Sequence, residues 1–270
     1  MGVFHKILPC MLTVVNADIA AYKADRFHQV SNIFEIVMVA LSFALFAFYV
    51  FHFFRGTCGW ELVYVMAILP NIYLSHILDG FSAPFTVYTP EGNPVPLLRY
   101  CEWLLCTPVL CMALSNIHGD GSTYSNKSMA LILYDIGMVA AGLLASASGS
   151  YWLTVMFTVL GFIYGALTFF VMGQIYVEAY FIIPDKCRSL VKAMAFVQLT
   201  VWNIYAVPYC FGPEAFGHMS HATSWMSHVS MDFFAKNVWT LLLWRTRYLV
   251  ATDKGEHGDT KFGAIYSKST

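Results

Sequence analysis

The sequence has few charged residues for its length: Asp, Glu, Lys and Arg make up 11% of its 270 residues, against about 25% in an average soluble domain. Hydrophobic residues make up 58%. This composition excludes an ordinary soluble domain and predicts a membrane protein. Lys and Arg form no basic patch of the kind that binds phosphates, so nucleic acid is excluded as a partner. The seven cysteines contain no CxxC pair, and no metal site is predicted.

Seven apolar stretches are long enough to cross a bilayer, which requires about 20 residues in a helix. They span residues 33–54, 61–79, 96–117, 128–147, 151–178, 189–211 and 224–250. No linker rich in Pro, Gly or Ser divides the chain. The sequence therefore predicts an all-α, multi-pass membrane protein, a seven-transmembrane-helix bundle. The bundle would occupy residues 31–250, between an extracellular N-terminal segment, 1–30, and a cytoplasmic tail, 251–270.

Lys and Arg are missing from alternate loops, and this predicts the orientation of the chain. Loops 80–98, 148–150 and 212–223 contain neither residue, whereas Arg55 and Lys127 lie in opposing loops. Because basic loops stay in the cytoplasm, the N-terminus is expected outside. The first 22 residues fit either a cleaved signal peptide or a short external segment. Turn residues in loop 79–96 favour a hairpin.

Four of the ionisable residues within the apolar segments form two closely spaced pairs, although a charge in hydrocarbon is costly. Arg99 and Glu102 lie in the third segment, and Asp232 and Lys236 share one face of the seventh. They could be structural ion pairs. Alternatively, Lys236 is a Schiff-base lysine that holds a carbonyl cofactor, with carboxylates as counter-ions. Aromatic residues that could enclose a long conjugated ligand favour this second interpretation: Trp103, Trp202, Tyr205 and Trp239.

The stretches "RYCEWLLCTP" and "DFFAKN" on the third and seventh segments resemble those of microbial rhodopsins. Within that family the chain is similar to green-algal-type channelrhodopsins, and the further stretches "GTCGWELVYV", "GFIYGALTFF" and "FGPEAFG" carry this likeness from about residue 31 to 247. The resemblance implies all-trans retinal on Lys236, with Glu102 and Asp232 as counter-ions and Arg99 paired with them. It also implies a homodimer in the plasma membrane, in contact with lipid, and a protein that is not an enzyme.

The same resemblance assigns the remaining site residues. Trp103, Gly161, Trp202 and Tyr205 would line the polyene, and Thr107 with Asp135 would couple the third and fourth helices beside it. Here the chain reads "CTP" where the channels read "TCP". Because of this exchange, the gating kinetics of the channels are not carried over to this chain. Residues assigned to the pore and its gates are Ser42, Leu69 and Asn237 at a central constriction, with His76, Glu35, Glu61 and Arg247.

The missing carboxylates decide between the activities of the family. The position that matches a pump's cytoplasmic proton donor is Ala113, so efficient proton pumping is not expected. The acidic Glu102 also differs from the neutral residue of chloride pumps. On the second segment the pore face, which includes Leu69 and His76, has no carboxylate. A pore without an acidic ring favours chloride and similar anions.

Two acidic residues oppose that interpretation. Glu35 and Glu61 would favour cations if they faced the pore, unless each extends to the membrane interface as a snorkelling side chain. Taken with the missing carboxylates of the second segment, the resemblance implies a light-gated anion channel. A light-gated cation or proton channel and a non-conducting sensory rhodopsin remain as alternatives, and an ordinary seven-helix receptor or transporter is the option without retinal.

Overall fold

The computed structural model describes residues 28–78, 87–88, 94–95, 97–117, 126–212 and 218–256. These residues form nine α-helices, a short 3₁₀ turn at Asp185–Cys187 and a π-helical segment at Phe233–Val238. The α-helices are α1 (His28–Phe54), α2 (Trp60–Leu78), α3 (Leu97–Ser115), α4 (Asn126–Ser146), α5 (Tyr151–Ile182), α6 (Arg188–Ile204), α7 (Ala206–Phe211), α8 (His221–Asp232) and α9 (Trp239–Glu256). The predicted N-terminal segment and tail lie outside the described residues, apart from 28–30 and 251–256.

The helices make a closed bundle of seven membrane-crossing elements, as predicted. Helices α6 and α7 together form the sixth element, and α8, the π segment and α9 run on as the seventh. Each element packs against the next along the chain, and α8 returns to pack against α1. Helices suit a bilayer because every backbone N–H and C=O is bonded within its own segment.

Five of the seven elements are long and apolar enough to cross a membrane on their own composition. They are Gln29–Phe54, Leu97–Ser115, Lys127–Ser146, Tyr151–Ile182 and Asp185–Phe211. Helix α2 contains a shorter apolar stretch, Trp60–Ser75, and the seventh element is diluted by its charged residues. Large apolar side chains such as Trp152, 76% exposed, and Phe196, 72% exposed, face outward. That outward face is suited to lipid, so the polar side chains of the bundle are held inside.

Two local features shape the loops that follow α1 and α2. After α1, Gly56 has φ +67°, a left-handed conformation that glycine adopts without steric cost, and its N–H donates to the carbonyl of Phe53. Beyond α2, strand β1 (Val87–Tyr88) pairs antiparallel with β2 (Pro94–Val95), with Val87 opposite Val95. The hairpin predicted for this loop is thereby confirmed in its described residues.

Candidate functional site

The amine of Lys236 lies between two carboxylates in the middle of the bundle. Its Nζ is 2.7 Å from Oε1 and 2.9 Å from Oε2 of Glu102 on α3, and it also contacts Oδ1 of Asp232, one turn earlier on its own helix. The three side chains are at most 2% exposed. Carboxylates on two sides hold a buried cation at this position, because an isolated charge would be expensive to bury.

The two carboxylates have different surroundings. Asp232 accepts hydrogen bonds from the hydroxyls of Tyr73 on α2 and Tyr205 at the end of α6, besides its contact with Lys236. The Glu102 carboxylate is paired with Lys236 and has the Cys106 thiol, a weak donor, as a second hydrogen-bond partner. Asp232 is therefore the more firmly stabilised anion, and Glu102 is the carboxylate that depends on the amine.

Arg99 does not pair with the two carboxylates as the resemblance implied. Among the described residues, the ion pairs of Glu102 and Asp232 are both with Lys236. The guanidinium of Arg99 instead lies over the indole of Trp225 on α8, with Cζ 5.0 Å from the ring centroid. A cation is stabilised over an aromatic face, so the side chain of Arg99 is directed toward α8.

The helix containing Lys236 is locally irregular. Residues Phe233–Val238 form a π-helical segment, although spacing in the sequence predicts a regular helix. A π turn disturbs the normal backbone hydrogen bonds, and such turns are frequent at functional sites. Here the hydroxyl of Thr240 donates to the Lys236 carbonyl at 2.5 Å. Tyr49 on α1 in turn donates to Thr240 at 3.1 Å.

A cavity of about 320 Å³ extends from Lys236 between α3, α4, α5 and α6, within the usual size range of ligand sites. The seven residues assigned to retinal all line it: Lys236, Trp103, Thr107, Gly161, Trp202, Tyr205 and Asp135. A Cβ at Gly161 would lie 3.7 Å from the Cβ of Ala141, and one at Gly165 would lie 3.3 Å from the Met138 sulfur. Gly165 therefore permits a close approach of α5 to α4, whereas a Cβ at Gly161 would make an ordinary contact.

Thr107 and Asp135 connect α3 to α4 along one wall of the cavity. The Thr107 hydroxyl is 2.6 Å from Oδ2 of Asp135 and 2.8 Å from the carbonyl of Trp103. Asp135 is completely buried. The order of Cys106 and Thr107 along the chain therefore does not prevent the threonine from bonding to the aspartate.

These residues fit retinal. A long apolar chain with a carbonyl at one end would place that carbonyl at Lys236, and its polyene among the rings of Trp103 and Trp202. The counter-charges of Glu102 and Asp232 lie at the same end of the cavity. The lining also includes apolar side chains of α5, among them Phe162 and Phe169.

Two of the three residues assigned to the central constriction meet. Asn237 donates from Nδ2 to Oγ of Ser42 on α1 at 2.9 Å, and both side chains are buried. Nδ2 also lies 3.3 Å from the sulfur of Met38. Leu69 on α2 is completely buried in the apolar core. The side chain of His76 lies outside the described residues.

A second polar cluster lies toward the end of the bundle that is predicted to be cytoplasmic. Nη2 of Arg247 donates to the carbonyl of Ala113 at 3.0 Å and lies 3.4 Å from Oε1 of Glu61. Its Nε donates to the carbonyl of Asn116 at 3.1 Å. Arg247 therefore joins α9, α2 and the end of α3, and Glu61 is a buried partner of that arginine rather than a snorkelling side chain.

Glu35 is also inside the bundle. It is completely buried on α1, and its Oε2 accepts the indole N–H of Trp225 at 2.9 Å. The interfacial interpretation of this residue is therefore wrong. Because Trp225 also lies against Arg99, one indole contacts the carboxylate and the guanidinium in the half of the bundle predicted to face outward.

Sequence reasoning missed three contributors to the site. Tyr73 bonds to Asp232, Trp225 to Glu35, and the ring of His228 lies 5.6 Å from that of Trp103. His228 precedes Asp232 by four residues, so helical spacing could have placed it on the same face. The partners of Tyr73 and Trp225 are more than 150 residues away in the chain, and no local pattern predicts them.

Comparison with known proteins gives the family. The family described as "Bacteriorhodopsin-like protein" matches residues 29–250. The chain is 27% identical over 191 residues to bacteriorhodopsin of Halobacterium salinarum, covering 68% of each chain. It is 26% identical over 170 residues to sensory rhodopsin-2 of Haloarcula vallismortis, covering 63% of this chain and 69% of the relative.

Among solved structures, the fold is similar to that of the red light-activated channelrhodopsin Chrimson. The TM-score is 0.79 at 33% identity, with 88% of this chain and 85% of Chrimson covered. Microbial rhodopsins bind retinal through a Schiff-base lysine, and the buried Lys236 lies at the end of a cavity that retinal fits. With the family match spanning residues 29–250 and the seven-helix fold in agreement, the chain belongs to the bacteriorhodopsin-like, or microbial rhodopsin, family.

Proposed function

We propose that the protein is a light-gated ion channel that uses all-trans retinal held through Lys236. The observation that carries the proposal is the position of the Lys236 amine, buried between Glu102 and Asp232 at the end of an apolar cavity. Similarity to Chrimson supports a channel within the family. The resemblance further supports a homodimer in the plasma membrane.

When bound, retinal supplies absorption of visible light and a change of shape at the Lys236 nitrogen. The protein supplies the charges around that nitrogen. Glu102 lies 2.7 Å from it and is placed to accept a proton. Asp232 is held as an anion by the hydroxyls of Tyr73 and Tyr205, so it balances the positive charge before the transfer.

Two contacts close the interior of the bundle. Asn237 directly follows Lys236 and bonds to Ser42, and Arg247 spans from α9 to Glu61 and the end of α3. Light-driven movement of the Lys236 backbone would pull Asn237 away from Ser42. Conduction then requires the Arg247 cluster to open as well, so that water can cross the bundle beside α1 and α2.

We propose that the conducted ions are anions, with chloride as the main physiological ion. The support is that the pore face of α2, on which Leu69 is buried, has no carboxylate in its sequence. In addition, Glu61 is paired with Arg247 and Glu35 is bonded to Trp225. Partnered carboxylates contribute less negative field to a pore than open ones.

A second candidate, a cation or proton channel, is favoured by the charges buried in the described bundle. Five acidic side chains are buried there, against Arg99, Lys236 and Arg247. The acidic residues are Glu35, Glu61, Glu102, Asp135 and Asp232. If the pore opened along the acidic ones, their summed field would attract cations.

Whole-cell voltage clamp with added retinal tests the proposal. The light-induced reversal potential is recorded while external chloride is replaced by a large impermeant anion, with Lys236→Ala as the control without a chromophore. A reversal potential that follows chloride supports the anion channel, and one that follows sodium or protons supports the second candidate. A bound chromophore with no stationary current would indicate a sensor, and a current that does not reverse would indicate a pump.

A further inference from the structure

The residues that line the cavity differ in their exposure at the surface of the bundle. At the lysine end, Lys236 is 2% exposed and Asp135 is completely buried. By contrast, Phe162 on α5 is 51% exposed although it lines the same cavity. Ala166 on α5 and Asn203 on α6 also line the cavity and are exposed at the surface of the bundle. The part of the cavity wall formed by α5 and α6 therefore includes side chains that also face outward.

This exposed wall lies in the part of the bundle that crosses the bilayer. Phe162 and Ala166 fall in the middle of α5, Tyr151–Ile182, and Asn203 falls in the span Asp185–Phe211. Neighbouring outward residues such as Ile163, 53% exposed, are apolar. The surroundings of the α5–α6 wall are thus hydrocarbon, and a molecule that passes between these helices would come from lipid.

Retinal is an apolar molecule and partitions into the bilayer. A route to Lys236 from water would have to pass the buried ion pairs of Glu102 and Asp232 on one side, or the buried Trp239 and Arg247 on the other. Opening either route would expose buried charges or break packed contacts. A route from lipid needs only the movement of exposed side chains.

We propose that retinal enters the cavity sideways from the membrane, through a portal between α5 and α6 formed by Phe162, Ala166 and Asn203. The portal rests on the proposed use of retinal. Its aldehyde end would pass first and reach Lys236, and the ring end would stop beside the portal. Phe162 is the side chain that must move aside, whereas Asn203 bonds only to the Leu199 carbonyl of its own helix among the described residues, at 2.6 Å.

The test measures the rate at which the visible absorption band forms when retinal in lipid vesicles is mixed with reconstituted apoprotein. Phe162→Ala widens the portal, and Ile163→Ala is its matched control, an equally exposed neighbour that does not line the cavity. Asn203→Trp narrows the portal, and Ile204→Trp, at an exposed neighbouring position outside the lining, is its control. Rates are normalised to the final band, so loss of folded protein does not change them.

We expect Phe162→Ala to form the band several times faster and Asn203→Trp to form it about tenfold slower, which corresponds to about 1.4 kcal/mol in barrier height. Both controls should stay within about twofold of the wild-type rate, as expected for surface changes of small energetic effect. Equal rates for each variant and its control would overturn the portal. A variant that changes only the final absorbance of the band, and not the rate at which the band forms, would overturn it as well. If wild-type apoprotein forms no band with retinal, the proposed function itself fails.

Discussion

The contact between Thr107 and Asp135 allows a quantitative prediction. The Thr107 hydroxyl is 2.6 Å from Oδ2 of a completely buried carboxyl group whose Oδ1 has no hydrogen-bond partner among the described residues. Thr107→Val keeps the shape of the side chain and removes the donor. Leaving a buried polar group without its partner costs about 1–3 kcal/mol. A loss of about 2 kcal/mol corresponds to a fall in melting temperature of about 4–8 °C for a chain of this size.

Thr168→Val is the matched control. Its hydroxyl donates only to the carbonyl of Tyr164 on its own helix, at 2.9 Å, and the side chain is also completely buried. That carbonyl keeps its backbone partner in the helix, so we expect the control to cost at most about 0.5 kcal/mol. Thermal unfolding in detergent, followed by the helical circular dichroism signal, compares the two variants.

A double variant separates lost bonding from lost packing. In Asp135→Leu the Thr107 hydroxyl still has the Trp103 carbonyl as an acceptor at 2.8 Å, so we expect little destabilisation. Thr107→Val added to Asp135→Leu should then cost much less than Thr107→Val alone. The reasoning is refuted if Thr107→Val is no more damaging than Thr168→Val, or if the effects of the two substitutions simply add.

Three further substitutions test the charged clusters. Lys236→Ala should abolish the visible band with retinal and lower the free energy of unfolding by about 3–5 kcal/mol, because two buried carboxylates lose their cation. Adding Glu102→Gln should recover part of that stability, and an unchanged melting temperature in Lys236→Ala alone would contradict the charge argument. Tyr73→Phe should cost about 1–3 kcal/mol by removing a donor to Asp232, whereas Tyr64→Phe, at a half-buried tyrosine of the same helix, should cost little in the same melting assay. Arg247→Leu should lower the melting temperature by leaving Glu61 buried without its cation, and Arg247→Leu with Glu61→Leu should restore it.

The sequence predicted the seven elements but not all of their limits. The fifth segment was expected at 151–178, whereas α5 continues to Ile182. The seventh was expected at 224–250, whereas its helices run from His221 to Glu256. Hydropathy reports the length that fits in hydrocarbon. A helix continues past that length wherever its polar end is solvated or packed against neighbours.

The residues around the chromophore were predictable because their pattern is local. Asp232 and Lys236 are one turn apart, and Glu102 lies on a stretch with a distinctive motif. The contacts of Arg99, Glu35 and Tyr73 depend instead on which helices pack together. Burial of Glu35 against Trp225 could be found only once α1 and α8 were adjacent. Side-chain pairing across the bundle therefore sets the limit of what this sequence predicts.

The position of the π segment connects the chromophore site to the central constriction that we propose. Lys236 and Asn237 are consecutive residues inside Phe233–Val238, and both are tied to α1, Asn237 through Ser42 and the Lys236 carbonyl through Thr240 and Tyr49. A π turn holds one more residue than an α turn, so converting this segment to α-helix would rotate Asn237 by about 100° relative to one of its flanking helices. Such a rotation would remove Asn237 from Ser42. The constriction could therefore open through a change in one turn of helix, without movement of the whole seventh element.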